Sequence, residues 1–201
     1  DADFVFSCVG NDDDLRAVIS GVDGALSGMK SGAVLVDHTT ASAAVARQLD
    51  EQAGAQGVSF IDAPVSGGEA GAKAGTLTVM CGGSEQAFEL ARPVIESYAR
   101  ACALMGAVGA GQLTKMVNQI CVAGVLEGLA QGLHFGQQAG LDMRMVLQVI
   151  SKGAAQSWQV ENRGETMLDG DYDFGFAVDW MRKDLAIVMD EARRLGLQLP
   201  A

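Results

Sequence analysis

Proline, cysteine, histidine and positive charge are all scarce in this 201-residue chain, and each scarcity excludes something. Only 3 prolines accompany 26 glycines, and the glycines have no period of three, so the chain is not collagen-like. Cys8, Cys81, Cys102 and Cys121 lie far apart among apolar neighbours with no Cys-x-x-Cys pair. Buried free thiols are therefore expected rather than a disulfide framework. His38 and His134 are the only histidines, too few and too separated for a zinc site, and no metal is expected. Basic side chains number 14 against 25 acidic, a net charge of −11 that repels phosphate backbones and argues against a nucleic-acid partner. No apolar run reaches about 18 residues and no signal-peptide pattern opens the chain. A soluble cytoplasmic protein without a membrane partner is expected.

What is present is apolar material, 49% of the residues, enough for a substantial core. The first half alternates short apolar runs with amphipathic stretches. The apolar runs Phe4–Val9, Ala33–Asp37, Val58–Ile61, Leu77–Cys81 and Ala101–Met105 read as strands. Asp12–Lys30, Ala43–Ala55 and Glu85–Ser97 read as helices, with Ser42 and Ser84 where N-caps belong. Such alternation predicts βαβ units and a mostly parallel sheet.

After Gly111 the texture changes. Gln112 to about Ala139 has no proline, and its apolar residues occur at helical spacing, on more than one side beyond Cys121. A helix this apolar is covered by other helices or by another subunit, so a homo-oligomer is expected. Leu141–Ser151, Ser157–Leu168 and Phe176–Leu195 read as further helices. The fold class is thus α/β followed by an all-α part, with a glycine-marked boundary that divides the chain into residues 1–109 and 110–201.

Four segments carry candidate chemistry. Val36–Ser42 places hydroxyls beyond the end of a strand, where they face a cofactor or simply cap the next helix. Asp62-Ala-Pro-Val-Ser66-Gly-Gly-Glu-Ala-Gly-Ala-Lys-Ala74-Gly75 runs a strand into a loop with four glycines. The backbone N–H groups of that loop can approach a carboxylate or phosphate, although the segment is neither a P-loop nor a Gly-x-Gly-x-x-Gly turn. In Gly109-Ala-Gly111-Gln112-Leu-Thr-Lys115-Met-Val-Asn118-Gln119, Lys115 sits in the first turns of the long helix, with both amides on its face. A helix N-terminus and partial burial both favour its neutral amine, as an acid–base lysine requires, whereas a surface lysine would snorkel. Lys183-Asp184-Leu185 reads locally as an exposed helix face.

In this order and spacing, Asp37–Thr40, Asp62–Gly68, Gly109-x-Gly111-xxx-Lys115-xx-Asn118-Gln119 and Lys183-Asp184-Leu185 resemble the β-hydroxyacid dehydrogenase family. The family includes 3-hydroxyisobutyrate dehydrogenase and semialdehyde reductases, with 6-phosphogluconate dehydrogenase more distant. The resemblance covers essentially the whole chain. It implies the C-terminal part of a Rossmann-type dinucleotide-binding domain followed by an all-α helical domain, binding NAD or NADP and a small carboxylate substrate. It implies Lys115 as the catalytic lysine, Ser66, Gly67 and Gly68 at the substrate carboxylate, and Asn118 or Gln119 as the orienting amide. Val9, Gly10, Asp14 and Thr40 fall at cofactor positions, and Lys183 at a lysine that closes over cofactor and substrate. The family often has Leu-Pro in place of Val9-Gly10, Asn in place of Asp14 and Ser in place of Thr39.

Members of the family open on a strand and a Gly-x-Gly-x-x-Gly turn that holds the pyrophosphate, and no such turn precedes Phe4-Val5-Phe6. The chain therefore reads as one entered mid-domain and ended before the final helices. Two other readings stand beside the enzyme: a non-catalytic relative kept for dimerisation or partner binding, and an inert fragment. The aromatic residues Trp158, Phe174, Phe176 and Trp180 either size the pocket or fill the core.

Overall fold

The computed structural model describes residues 2–199. These form two compact units, one holding residues up to Val117 together with Gly175–Gln198, the other holding Asn118–Phe174 and Leu199.

In the first unit the order is β1 (Phe4–Ser7), α1 (Asp12–Ser20), β2 (Val34–Asp37), α2 (Ala43–Gly54), β3 (Ser59–Asp62), β4 (Val65–Ser66), α3 (Gly68–Ala74), β5 (Leu77–Gly82), α4 (Glu85–Ile95) and β6 (Ala99–Gly106). Next comes α5 (Ala110–Gln138), which opens in this unit, and α8 (Val178–Arg194) returns to it. Strands β1, β2 and β3 are parallel neighbours, with Phe6, Val36 and Ile61 in register. Alternation along each strand then divides the core between two faces. Val34, Val36, Ile61 and Val79 pack with Phe88 and Ile95 of α4 on one side. Leu35 and Phe60 pack with Leu15, Ile19, Val45 and Leu49 of α1 and α2 on the other. All four residues of β2 are buried, as expected of a strand covered on both faces.

The sheet is mostly parallel, as expected, with an antiparallel break in its middle. β5 runs antiparallel to β3 and β4, and β6 then runs parallel to β5. A parallel return needs a long crossover. Between β3 and β5 the chain supplies only the two-residue β4 and the seven-residue α3. These two elements also replace the loop expected at Ser66–Ala74. The helical stretch expected through Lys30 stops at Ser20, where the Gly21 N–H closes on the Ala17 carbonyl, and a single 3₁₀ turn follows at Ala25–Gly28. Ser42 and Ser84 cap α2 and α4 through bonds from Val45 and Ala87 N–H.

The second unit contains the rest of α5, α6 (Met143–Ile150) and α7 (Trp158–Asp169). Leu129, Leu133, Met143, Leu147 and Val160 form its core. Asp142 and Ser157 cap α6 and α7. Beside that core runs an apolar groove of about 380 Å³, lined in part by Gly124, Gly128 and Gly132 of α5. Val125 and Phe135 on the same helix are exposed.

The thiols depart from expectation. Only Cys81 is buried, and burial pushes it up to about 12. Cys102 is half-buried, whereas Cys8, just past the end of β1, and Cys121, on the outer side of α5, are exposed.

Candidate active site

Strands β2 and β3 each end on an aspartate after apolar residues, and Asp37 and Asp62 sit side by side in the sheet register. Both are fully buried. Each gathers the chain segments around it.

The Asp37 carboxylate accepts from Ser7 Oγ at 2.8 Å, Thr39 Oγ1 at 2.7 Å and Thr39 N–H at 3.2 Å, all on Oδ1. Thr39 Oγ1 in turn accepts from Val9 N–H at 2.9 Å. The turns leaving β1 and β2 are thereby tied together. Burial raises Asp37 to about 6, against the bonds from Thr39 and Ser7 that favour its charge.

Asp62 serves the other side. Oδ1 accepts from Gly109 N–H at 2.7 Å and Oδ2 from Gln112 N–H at 2.8 Å. These are N–H groups that the first turn of α5 leaves without helical partners. Burial raises Asp62 to about 7, more than those two bonds lower it. The Gln112 side chain, 1% exposed, donates to the Thr39 carbonyl at 2.7 Å and accepts from Ala41 N–H at 3.0 Å. It clamps the turn after β2 onto α5.

One turn further along α5 is Lys115, 7% exposed. Burial depresses its basicity first, the nearby Asp184 carboxylate opposes that, and the Lys183 ammonium adds to it. Lys183 reaches from α8 to the Thr40 carbonyl at 2.5 Å and to Asp184 at 2.9 Å. Its ammonium also stands 5.9 Å from the Trp180 ring centroid. Trp180 packs over Gly10, where an added Cβ would meet its ring at 3.2 Å and Asp14 Oδ2 at 2.7 Å. Asp14 itself is exposed at the start of α1, in a turn capped by Asn11. Val9, Gly10, Asp14, Thr40, Lys115 and Lys183 are thus gathered through Thr39, Gln112, Asp184 and Trp180.

The glycine segment sits at β4 and the start of α3. Ser66 is paired with Thr78 in the sheet. Gly67, at φ 132°, and Gly68, at φ 60°, start α3 in backbone conformations open to glycine, both exposed. Among the described residues no hydrogen bond joins these three to Lys115. Asn118 and Gln119 fall in the second unit, where Asn118 Nδ2 donates to Gln119 Oε1 at 2.8 Å and Gln119 is buried.

His38 is excluded as the acid–base group by its bonding. Nδ1 must donate to the Ala63 carbonyl at 2.6 Å, so Nε2 accepts from Tyr98 OH at 2.8 Å, and burial lowers its basicity. The local sequence around Asp37, Asp62, Gln112 and Asp184 announces no role for any of them. The available signal was an aspartate closing an otherwise apolar buried strand, which seldom occurs without partners. No helix is long and apolar enough to cross a membrane, and no cluster of metal-binding side chains occurs among the described residues.

Residues 1–106 match the NAD binding domain of 6-phosphogluconate dehydrogenase, and residues 109–201 match the NAD-binding family of NADP-dependent 3-hydroxyisobutyrate dehydrogenase. An uncharacterized oxidoreductase of Shewanella frigidimarina is 63% identical over 98% of this chain and 68% of its own length. The crystal structure of 3-hydroxyisobutyrate dehydrogenase from Salmonella typhimurium superposes with a TM-score of 0.87 at 34% identity, over 98% of this chain and 69% of that one. A Mycobacterium tuberculosis 3-hydroxyisobutyrate dehydrogenase solved with L-serine gives 0.88 at 30% identity, over 99% of this chain and 70% of that one.

Proposed function

The chain belongs to the β-hydroxyacid dehydrogenase family, a family of NAD(P)-dependent oxidoreductases, and we propose that Lys115 is its general acid–base in hydride transfer to and from a small β-hydroxyacid or its semialdehyde. The observation that carries the reading is a buried lysine of depressed basicity near the start of a helix, within electrostatic reach of an aspartate and a second lysine. Such an amine gives up its proton more readily than an exposed lysine does, which is the direction an acid–base group requires.

The residues present suit a nicotinamide cofactor. Val9, Gly10 and Thr40 lie beyond the carboxyl ends of parallel strands, where open α/β sheets bind dinucleotides. The lack of a Cβ at Gly10 lets the Trp180 ring and the Asp14 carboxylate pack directly against its backbone. When bound, the nicotinamide supplies the hydride acceptor for oxidation and the hydride donor for reduction.

In oxidation the neutral Lys115 amine takes the hydroxyl proton as the hydride leaves the same carbon. In reduction the Lys115 ammonium returns that proton to the forming alkoxide. The Ser66 hydroxyl and the Gly67 and Gly68 N–H groups hold the substrate carboxylate, and Asn118 or Gln119 orients it. Lys183 closes over cofactor and substrate, and Asp14 lies on the cofactor side. In this reading residues 1–109 belong to the dinucleotide-binding domain and 110–201 to the helical domain. The exposed Val125 and Phe135 of α5 then meet another subunit in a homo-oligomer.

The L-serine bound by the mycobacterial relative is itself a β-hydroxyacid and supports this substrate class. Replacing Lys115 by Ala should lower kcat by about 10²- to 10⁴-fold and leave NADH and NADPH affinity intact by fluorescence titration. Near-normal turnover would end the assignment. A panel of β-hydroxyacids, semialdehydes and glyoxylate with both cofactors fixes the substrate.

A further inference from the structure

An acid–base lysine works only if its amine is presented at one place, and α5 has no capping side chain of its own to fix its start, because the residue before it is Gly109. The cap comes from the sheet. Asp62, 47 and 50 residues away in sequence, satisfies the Gly109 and Gln112 N–H groups together. The fit leaves no slack. A Cβ on Gly111 would lie 2.5 Å from the Asp62 carbonyl and 2.8 Å from its carboxylate, and one on Gly82 would lie 2.7 Å from Gly111 N. Strand and helix are therefore in backbone contact around a single carboxylate.

From that fixed point Gln112 leads to Lys115 three residues on, along the same helix face and about 4.5 Å up the axis. The Gln112 side chain simultaneously grips Thr39 and Ala41. Between them is Thr40, whose carbonyl holds Lys183. Both lysines are thus referred to one rigid frame whose centre is Asp62. The other titratable groups facing Asp62 are Asp37 across the β2–β3 register and Cys81.

We infer that Asp62, acting through Gln112, is a positioning residue that caps α5 from the sheet and sets where the Lys115 amine is presented. This rests on the reading of Lys115 as the acid–base group. The deciding substitution is Asp62→Asn in the full chain, which keeps the shape but turns an NH₂ group toward one of the two N–H donors. Two quantities are measured: steady-state kinetics, and the titration of Lys115 by side-chain NMR, assigned with Lys115→Arg. The inference expects kcat to fall by about 10- to 100-fold with dinucleotide KM within about twofold. It also expects the Lys115 titration to move upward as water reaches the amine.

A folded Asp62→Asn protein with unchanged Lys115 titration overturns the inference, even if its Tm has dropped, because a purely structural cap would do no more. If that variant does not fold, Gln112→Met decides. It keeps the side-chain volume and removes the grip on Thr39 and Ala41, and should shift kcat and the Lys115 titration in the same directions by less. No shift in either overturns the inference. The titration does not depend on turnover. If Lys115→Ala remains active, the catalytic reading falls while the placement of the amine by Asp62 is still tested.

Discussion

The two units of this protein are held together by different physics. In the α/β unit, buried polar side chains join segments far apart in sequence: Asp37 links β1 and β2, Asp62 links β3 to α5, and Gln112 links α5 back to the turn after β2. In the helical unit the Leu129–Val160 core is apolar, its side-chain caps reach only two or three residues, and the Arg144–Asp169 pair that joins α6 to α7 is exposed. Apolar contacts are non-directional and tolerate adjustment. A buried carboxylate is tolerated only with its donors in place, so it fixes geometry at the cost of sensitivity. The unit with the polar junctions is the one that carries Lys115.

One substitution type on one helix separates the two regimes. Gly111→Ala drives a methyl group into the Asp62 backbone and carboxylate and should cost about 3 kcal/mol or more. Gly128→Ala meets open space on the same helix and should stabilise it by up to about 1 kcal/mol through helix propensity alone. Urea unfolding measures both, and equal costs would erase the distinction. Trp180 lies in the first unit and Trp158 in the second, so each unit has its own fluorescent reporter.

Leu147→Ala comes next in size, at about 2–5 kcal/mol for a buried leucine. Its effect should fall on the Trp158 signal. The Lys115 titration should not change, whereas it should for Asp62→Asn.

A smaller effect separates the units by pH. The folded state holds the protons of Asp37 up to about 6 and of Asp62 up to about 7, well above an unfolded aspartate. Between these values and the unfolded one the native state binds more protons, so stability declines as pH rises. The contribution is fully present below about pH 4 and is lost as pH climbs through about 6 to 7. The Trp180 transition should weaken between about pH 4 and 7, and Asp37→Asn should flatten that slope. A Trp180 midpoint independent of pH would show that these carboxylates are not the hidden load of the first unit. No titrating group stands in the Leu129–Val160 core, so the Trp158 transition should depend on pH far less.

Much of this architecture is legible from short-range pattern. Val34-Leu35-Val36 and Phe60-Ile61 read as buried strands, Ser42 and Ser84 as caps, and α5 as a single long helix, because each is set by neighbours within one or two turns. The reversal of the sheet at β5 is harder to see, since it depends on how little chain lies between Asp62 and Leu77. Glycine content at Ser66–Ala74 suggests a loop, but Gly67 and Gly68 with positive φ start a short helix there. The candidate lysine is visible in its motif. The groups that hold it are not, because a strand-ending aspartate looks the same whether or not a helix start meets it.

Most of the elements, the two textures of the chain and the family motifs are written in local spacing and residue type, and a linear chain carries that information complete. Packing alone makes Asp62 cap α5, closes Gln112 on Thr39 and Ala41, and carries Lys183 across 143 residues to the Thr40 carbonyl. Those bonds require separate segments to meet within about 3 Å. Here the close approach is set by glycines at 82 and 111, whose need for space appears only when strand and helix are packed together.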